Sequence, residues 1–318
     1  MFRLIGKRLL LTVPMLLGMS IIVFGLLRLV PGDPASSILG AYATPAQLAQ
    51  VREQLGLNRS IVVQYTTWLG DVIHGDLGVD YTTGQPIRTV LADRLPVTVE
   101  VVLLAFLLAI VVGIPTGVWS AVRRGKIADK SIQGVAVLGI AVPNFWIGIV
   151  LILAFSLTLR VFPSSGFVAF SVSPWQNLRS VILPAVSLAA GLSAVLMRIT
   201  RGAMIDALNL DHITFSRAKG VPERRVVWRH ALRSAAIPIV TVAGLQAGYL
   251  LGSTIVIEQV FSLPGVGQLI IQSMLNQNYP EVQGAILVIA FTFIIVNLLV
   301  DLSYPLISPK LRAGGREI

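Results

Sequence analysis

The chain contains no cysteine, so neither a disulfide framework nor a thiolate metal site is open to it. It carries no G-x-x-x-x-G-K-[ST] loop, which excludes ATP binding by that route. H-E-x-x-H and G-x-S-x-G, the clusters a membrane hydrolase would use, are also missing. Charge is thin as well: 13% of the 318 residues are charged, 15 acidic and 25 basic. With 55% hydrophobic residues and a mean hydropathy of +0.80, there is too little polar surface to coat a soluble domain of this length. What the chain has instead is apolar runs of about 20 residues. Each is long enough to cross a ~30 Å hydrocarbon core as a helix, whose backbone groups bond internally.

Six such runs, at 9–29, 97–122, 132–159, 181–199, 235–257 and 282–307, predict an all-α integral membrane protein with six transmembrane helices. They divide the chain into an N-terminal tail with the first span (1–30), a loop with short amphipathic helices (31–96) and a five-helix core (97–318) that includes a polar loop at 203–233. Pro115, Pro143, Pro184 and Pro238 fall inside or near these helices, and Pro143-Asn144 predicts a kink midway along the third. The first run is longer than the ~7–15 residues of a signal-peptide core. RLVPGDPASS follows it in place of an A-x-A site, so it reads as a retained span. The loops on one side hold 18 basic residues and those on the other hold 7. The positive-inside rule then expects both termini and 203–233 in the cytoplasm, with 31–96 outside. The basic excess is a topology signal, not the footprint of a nucleic acid.

Within 31–96, Thr44-Pro45-Ala46-Gln47 has the pattern of a capping box with proline at the first helical position, and Leu48, Val51 and Leu55 follow before Gly56. A second stretch, 61–74, puts Ile61, Tyr65, Trp68, Leu69 and Val72 on one face of a helix lying on the membrane or the outer mouth. His74 at its polar end has no second ligand nearby and reads as structural, so no metal site is expected. In the last span Asn297, Asp301 and Tyr304 share a face, either as a polar lock pairing Asp301 with Arg198 or Arg201, or as an interfacial structural pair. Glu258, just past span five, either faces arriving substrate or simply bounds the helix. Pro143, Asn144, Gln246 and Glu258 are the candidates for a substrate path whose remaining lining is apolar and discriminates weakly.

The exception to the apolar pattern is DHITFSRAKGVPERRVVWRHAL, residues 211–232. Asp211 is expected to cap a short helix that Gly220 ends, and Pro222 to start a second with Glu223 in its first turn. Arg229 and Arg233 lie one turn apart on one face, while Val227, Ala231 and Leu232 pack inward. On charge alone the favoured reading of the stretch is an anchoring basic loop at lipid headgroups.

The order of residues in DHITFSRAKGVPERRVVWRHALRSAAIPIV resembles the cytoplasmic loop signature of ABC-importer permeases, in the version found in dipeptide and oligopeptide permeases. RLLLTVPMLLGMSIIVFGLLRLVPGDP, QYTTWLGDVIHGDLGVD, VPNFWIGIVLI, LPAVSLA, LLGSTIVIEQVFSLPGVGQL, YPEVQG and NLLVDLSYPLISPKLR follow in family order, so the likeness covers essentially the whole chain. It departs at Thr214-Phe215-Ser216, where the family commonly has R-T-A, at His212 in place of tyrosine, and at Ser308-Pro309-Lys310 in place of D-P-R.

The resemblance implies a type I ABC-importer permease fold in a bacterial plasma (inner) membrane, crossed several times. Asp211, Thr214, Phe215, Ser216, Arg217, Ala218, Lys219, Gly220, Val221 and Pro222 would form the coupling helix that docks on an ATPase. The 264–267 PGVG turn would be a scoop-like loop in the outer vestibule. Partners would be a homologous second permease, two ATPase subunits that bind ATP and Mg, and an extracytoplasmic binding protein; this chain itself needs no cofactor. The cargo implied is di- or oligopeptide, with nickel chelates, glutathione or haem as alternatives. A secondary carrier working without an ATPase would need more ionisable groups at mid-depth than these spans offer.

Overall fold

The computed structural model describes residues 2–29, 33–39 and 43–307, with side chains described for fewer of them at the two ends. The elements are α1 (Phe2–Leu29), α2 (Pro34–Leu39), α3 (Pro45–Gln54), α4 (Ile61–Ile73), α5 (Ile87–Val122), α6 (Ile127–Ala141), α7 (Asn144–Leu151), α8 (Pro174–Leu208), α9 (Asp211–Ala218), α10 (Glu223–Arg225), α11 (Leu232–Phe261), α12 (Val266–Leu275) and α13 (Tyr279–Ile307). Wider π-helical turns follow α7 (Ile152–Thr158) and join α10 to α11 (Val226–Ala231). Among the described residues there is no strand, only one antiparallel bridge between Val79 and Pro86. Among the described residues five helices are long and apolar enough to cross a membrane, and the bent pair 127–141 and 144–158 makes six if it counts as one span.

The helices overrun the apolar windows. The second span begins at Ile87, ten residues before its hydrophobic stretch, and its 36 residues reach about 54 Å at 1.5 Å per residue. Arg88, Asp93 and Arg94 lower the hydropathy of this extension, but backbone bonding does not depend on hydropathy and the helix carries through them. The third span departs most from expectation. Pro143 has no amide hydrogen to continue the ladder, so Val142 closes α6 and α7 leaves at 102°. The expected kink is a near right-angle break. Each half is 15 residues, about 22 Å, too short to cross alone.

The chain divides into two compact units, 1–98 with 264–294, and 99–263 with 295–318. In the first, α1 meets α4 through Phe24, Tyr65 and Trp68, with ring centroids 5.3–6.0 Å apart, and Ser20 shares a hydrogen bond with the Tyr65 hydroxyl at 2.9 Å. Tyr65, Trp68, Leu69 and Val72 are half-buried, whereas Ile61 lies exposed at the helix start. The Thr44 capping box forms in both directions, and Gly56 sits beyond α3 with φ +65. The PGVG turn is the entry to α12, where the buried Val266 amide donates to Thr98 Oγ1 at 2.9 Å.

In the second unit α8 is the axis, with α6, α7 and α11 packed on it. The approach of α5 is equally close, because Gly113 and Gly117 present no side chain. A Cβ on Gly113 would lie 2.7 Å from the Ser193 carbonyl oxygen, and one on Gly117 would lie 2.6 Å from Thr200 Cβ. This is the small-xxx-small contact by which membrane helices gain van der Waals energy without a hydrophobic driving force.

Candidate functional site

The polar stretch becomes a turn of helix held against the foot of the second unit. Leu208 ends α8, Leu210 turns the chain, and α9 starts at Asp211. Asp211 is not the cap. It occupies the first turn, where its charge faces the positive helix end, and Leu210 stands at the cap position without a side-chain bond. Ile213 is 0% exposed, packed with Val118, Met204, Ala207, Val226 and Ala231, so it fixes α9 to α5, α8 and the π-turn.

The C-terminus of α9 is locked by its backbone. Gly220 has φ +75, its amide donates to Arg217 O at 2.9 Å, and the Val221 amide donates to Ser216 O at 3.2 Å. These two bonds make a Schellman cap, which requires the left-handed conformation that glycine adopts at least cost. Arg217 then closes the corner with two bonds to Glu223, at 2.7 and 3.1 Å. No separate second helix follows. Pro222 is the N-cap of α10, and α10, the π-turn and α11 run on as one helix from Glu223 to Phe261. The π-turn re-phases that helix so that the adjacent Val226 and Val227 are both buried along with Ala231; Leu232 is half-buried, and Arg229 and Arg233 stay exposed.

On this rigid base the outer face of α9 is open. Phe215 is 60% exposed, covered only by the Lys219 ammonium 4.4 Å from its ring centroid. Thr214, Ala218, Lys219, Gly220 and Pro222 are also exposed, while Ser216 and Val221 are half-buried, Ser216 bonding back to His212 O. An exposed aromatic beside Lys219, on a segment that also exposes Arg217, Arg224 and Arg225, has the makeup of a protein-docking anchor.

The expected path residues are partly gathered. Pro143, Asn144 and Gln246 line one cavity of about 430 Å³, with α8 as its back wall, and its lining contains no charged side chain. Glu258 does not reach it. Its side chain is fully buried within α11, where the expectation had it just beyond the helix. Asn144 comes close to α8 because Gly191 lies opposite: a Cβ there would be 2.9 Å from Asn144 Oδ1.

One ion pair went unread in the sequence. Asp129, 2% exposed, accepts from Arg201 Nε at 2.7 Å and Nη2 at 2.9 Å, from Ser120 Oγ at 2.6 Å, from the Gly125 amide at 2.9 Å and from Gln133 at 3.1 Å. Arg201 is paired with Asp129; the Asp301 and Tyr304 side chains, expected to form a polar lock or an interfacial pair, lie outside the described residues. Asp129 stands next to the basic RRGK turn and reads there as a loop charge, which hid it. Gly113 and Gly117 carried a usable signal, G-x-x-x-G inside an apolar run.

An all-α protein with several helices long enough to span a membrane, and an exposed, firmly seated connector between two of them, is the class this geometry defines. Residues 113–313 match the family described as binding-protein-dependent transport system inner membrane component, and residues 1–102 match the N-terminal family of the same components. The chain belongs to this family. It is therefore a transport component of a multi-pass membrane system, and the family implies in general a second permease, an ATPase and a binding protein as partners. One Brucella abortus relative, named for a peptide transport system permease, is 42% identical over 312 residues, 98% of this chain and 99% of its own. The dipeptide transport system permease protein of Alkalihalophilus pseudofirmus is 35% identical over 96% of this chain and 98% of its own. The glutathione transport system permease protein of an Escherichia coli strain is 38% identical over 96% and 97%. In fold, the chain is similar to a chain of the MetNI methionine ABC transporter, with TM-score 0.59 and 17% identity over 70% of this chain and 99% of that one.

Proposed function

We propose that this chain is the permease subunit of an ATP-driven importer of di- and oligopeptides, with both termini and the 203–233 loop cytoplasmic and 31–96 extracytoplasmic. The observation that carries the coupling part is the seating of α9. Ile213 buried beneath it, the Schellman cap and the Arg217–Glu223 pair join it to α8 and α11 as one body. A push on Phe215 is then transmitted to two spans and not absorbed by a loop. In this reading two ATPase subunits, holding ATP and Mg, grip α9 here and its counterpart on a homologous second permease. Their closure switches the pair by rigid-body motion between two packed arrangements. Asp211, Thr214, Phe215, Ser216, Arg217, Ala218, Lys219, Gly220, Val221 and Pro222 form the grip, and the cavity at Pro143, Asn144 and Gln246 is part of the cargo path.

Peptide cargo is supported by the names of the relatives, among them the dipeptide permease. Glutathione is the second reading, because a relative of similar identity bears that name. An uncharged cavity lining has no group to pair a peptide terminus, so selection rests with the binding protein. The test is reconstitution of Phe215→Asp and Gly220→Val with the partner subunits, assaying ATP hydrolysis and uptake of a dipeptide and of glutathione. Nothing lies within 4 Å of a Cβ at Gly220, so the valine costs only backbone strain, about 1–2 kcal/mol. That is small for folding and large for a docking fit. Both variants are expected to lose stimulated hydrolysis and uptake at normal abundance. Wild-type uptake in both would return the loop to a membrane anchor. Uptake of glutathione but not dipeptides would select the second reading.

A further inference from the structure

The first unit holds a second cavity, of about 220 Å³, that shares no lining residue with the first. It is built around Arg28, the basic residue in the last turn of α1, at the end of the apolar span Thr12–Leu29. A cation at that depth lies in the headgroup layer of a bilayer. The guanidinium carbon lies 3.6 Å from the Phe24 ring centroid. Nε and Nη2 donate to Gln64 Oε1 at 3.2 and 2.6 Å, and Nη1 donates to the Phe24 carbonyl at 3.4 Å. Gln64 is pinned in turn, its amide donating to the carbonyls of Leu57 and Arg59 at 3.1 and 2.8 Å.

These partners are neutral. Among the described residues no carboxylate pairs with Arg28, although it is half-buried. Leaving a desolvated cation without a counter-charge is costly, and about two of its five N–H donors remain to receive one. Gln283, 4% exposed, lines the same cavity and brings an amide to it. Tyr81 also lines it; burial pushes its hydroxyl up to about 12, so it stays a protonated donor through the physiological range. Arg59 and Trp68 complete the wall, and Asp71 stands at the exposed rim. The volume is below the ~300–1,000 Å³ of ordinary small-molecule sites, which suits a headgroup and excludes an oligopeptide.

We infer that this cavity binds a phosphate ester carrying a primary amine, the chemistry of a phosphoethanolamine headgroup. Arg28 and Arg59 take the phosphate oxygens in the forked geometry guanidinium favours, Gln283 and Tyr81 donate to the same group, and Asp71 accepts from the ammonium. The attached chains lie along the lipid-facing side of α1. A bound zwitterionic lipid would thus clamp α1, α4 and the start of α13 together.

The test uses the full chain in nanodiscs or detergent, with native mass spectrometry and thermal unfolding as readouts. The probes are phosphatidylethanolamine, phosphatidylcholine, diacylglycerol, glycerophosphoethanolamine and inorganic phosphate. The ethanolamine lipid is expected to bind and stabilise most, the choline lipid less, and diacylglycerol not at all. Arg28→Met should weaken ethanolamine-lipid binding by about 10- to 100-fold, the range for a lost charged hydrogen-bond pair. Tyr81→Phe, which removes one hydroxyl and leaves the fold intact, should weaken it by several-fold. Asp71→Asn should erase the preference for ethanolamine over choline. Equal binding of diacylglycerol, or unchanged binding in both Arg28→Met and Tyr81→Phe, would overturn the site. Glycerophosphoethanolamine or inorganic phosphate binding as tightly as the lipid would overturn the lipid source and leave a soluble phosphate as occupant.

Discussion

Replacing Asp129 by alanine should be among the most destabilising single changes in the second unit. Its carboxylate is 2% exposed and accepts five hydrogen bonds, two of them from Arg201, which is itself 22% exposed. Alanine strands the arginine, the fully buried Ser120 hydroxyl and the Gly125 amide together. Breaking one side of such a pair costs about 3–5 kcal/mol, because the survivor is left desolvated and unmatched. Asp129→Asn keeps shape and one acceptor, and should cost less, about 1–3 kcal/mol. The pair should also be strongly non-additive. Asp129→Leu with Arg201→Leu removes both charges, so the double variant should lie about 2–3 kcal/mol above the sum of the singles. The assay is equilibrium unfolding of the purified chain in mixed micelles, completing the double-mutant cycle. Single variants within about 1 kcal/mol of wild type, or a cycle additive to within about 0.5 kcal/mol, would refute the view that this pair ties the 123–126 turn to α8.

Gly117→Ala should destabilise by about 1–3 kcal/mol, since its Cβ would meet Thr200 Cβ at 2.6 Å and the Met197 carbonyl at 2.7 Å, whereas Gly18→Ala, with nothing within 4 Å, should be neutral or slightly stabilising; thermal unfolding of the two variants separates packing from propensity. Burial pushes the Asp80 carboxyl up, but hydrogen bonds from Thr83, the Thr82 amide and Asn278 outweigh it and hold the group below the usual carboxylate value. Its contribution is therefore complete above the unfolded value near ~3.9 and lost as pH falls through the lower folded one, so exchange protection of the Thr82 amide should drop below about pH 4 in wild type and show no such step in Asp80→Asn. Single cysteines at the exposed Asn58 and Thr214, on this cysteine-free background, should react with an impermeant maleimide from opposite sides of the membrane; labelling of both in intact cells would reverse the proposed orientation.

Much was legible in the chain because the deciding physics is local. A 20-residue apolar run has few alternatives to a spanning helix, since lipid offers its backbone no partners, and so the spans could be placed from composition. Capping is equally local: Thr44 and Gln47 find each other within one turn, and Gly220 is where a helix end needs a left-handed residue. What distance along the chain concealed, packing decided. Arg201 could have met any nearby acid; it takes Asp129, 72 residues away, because α6 and α8 are packed side by side. A proline can bend a helix slightly or break it outright. At Pro143 the break is 102°, and Gly191 on α8 leaves the space that the Asn144 side chain occupies there. Glu258, Asn144 and Gln246 are all polar candidates for one path, yet two line a cavity and one is fully buried, a difference set by which face each neighbouring helix covers.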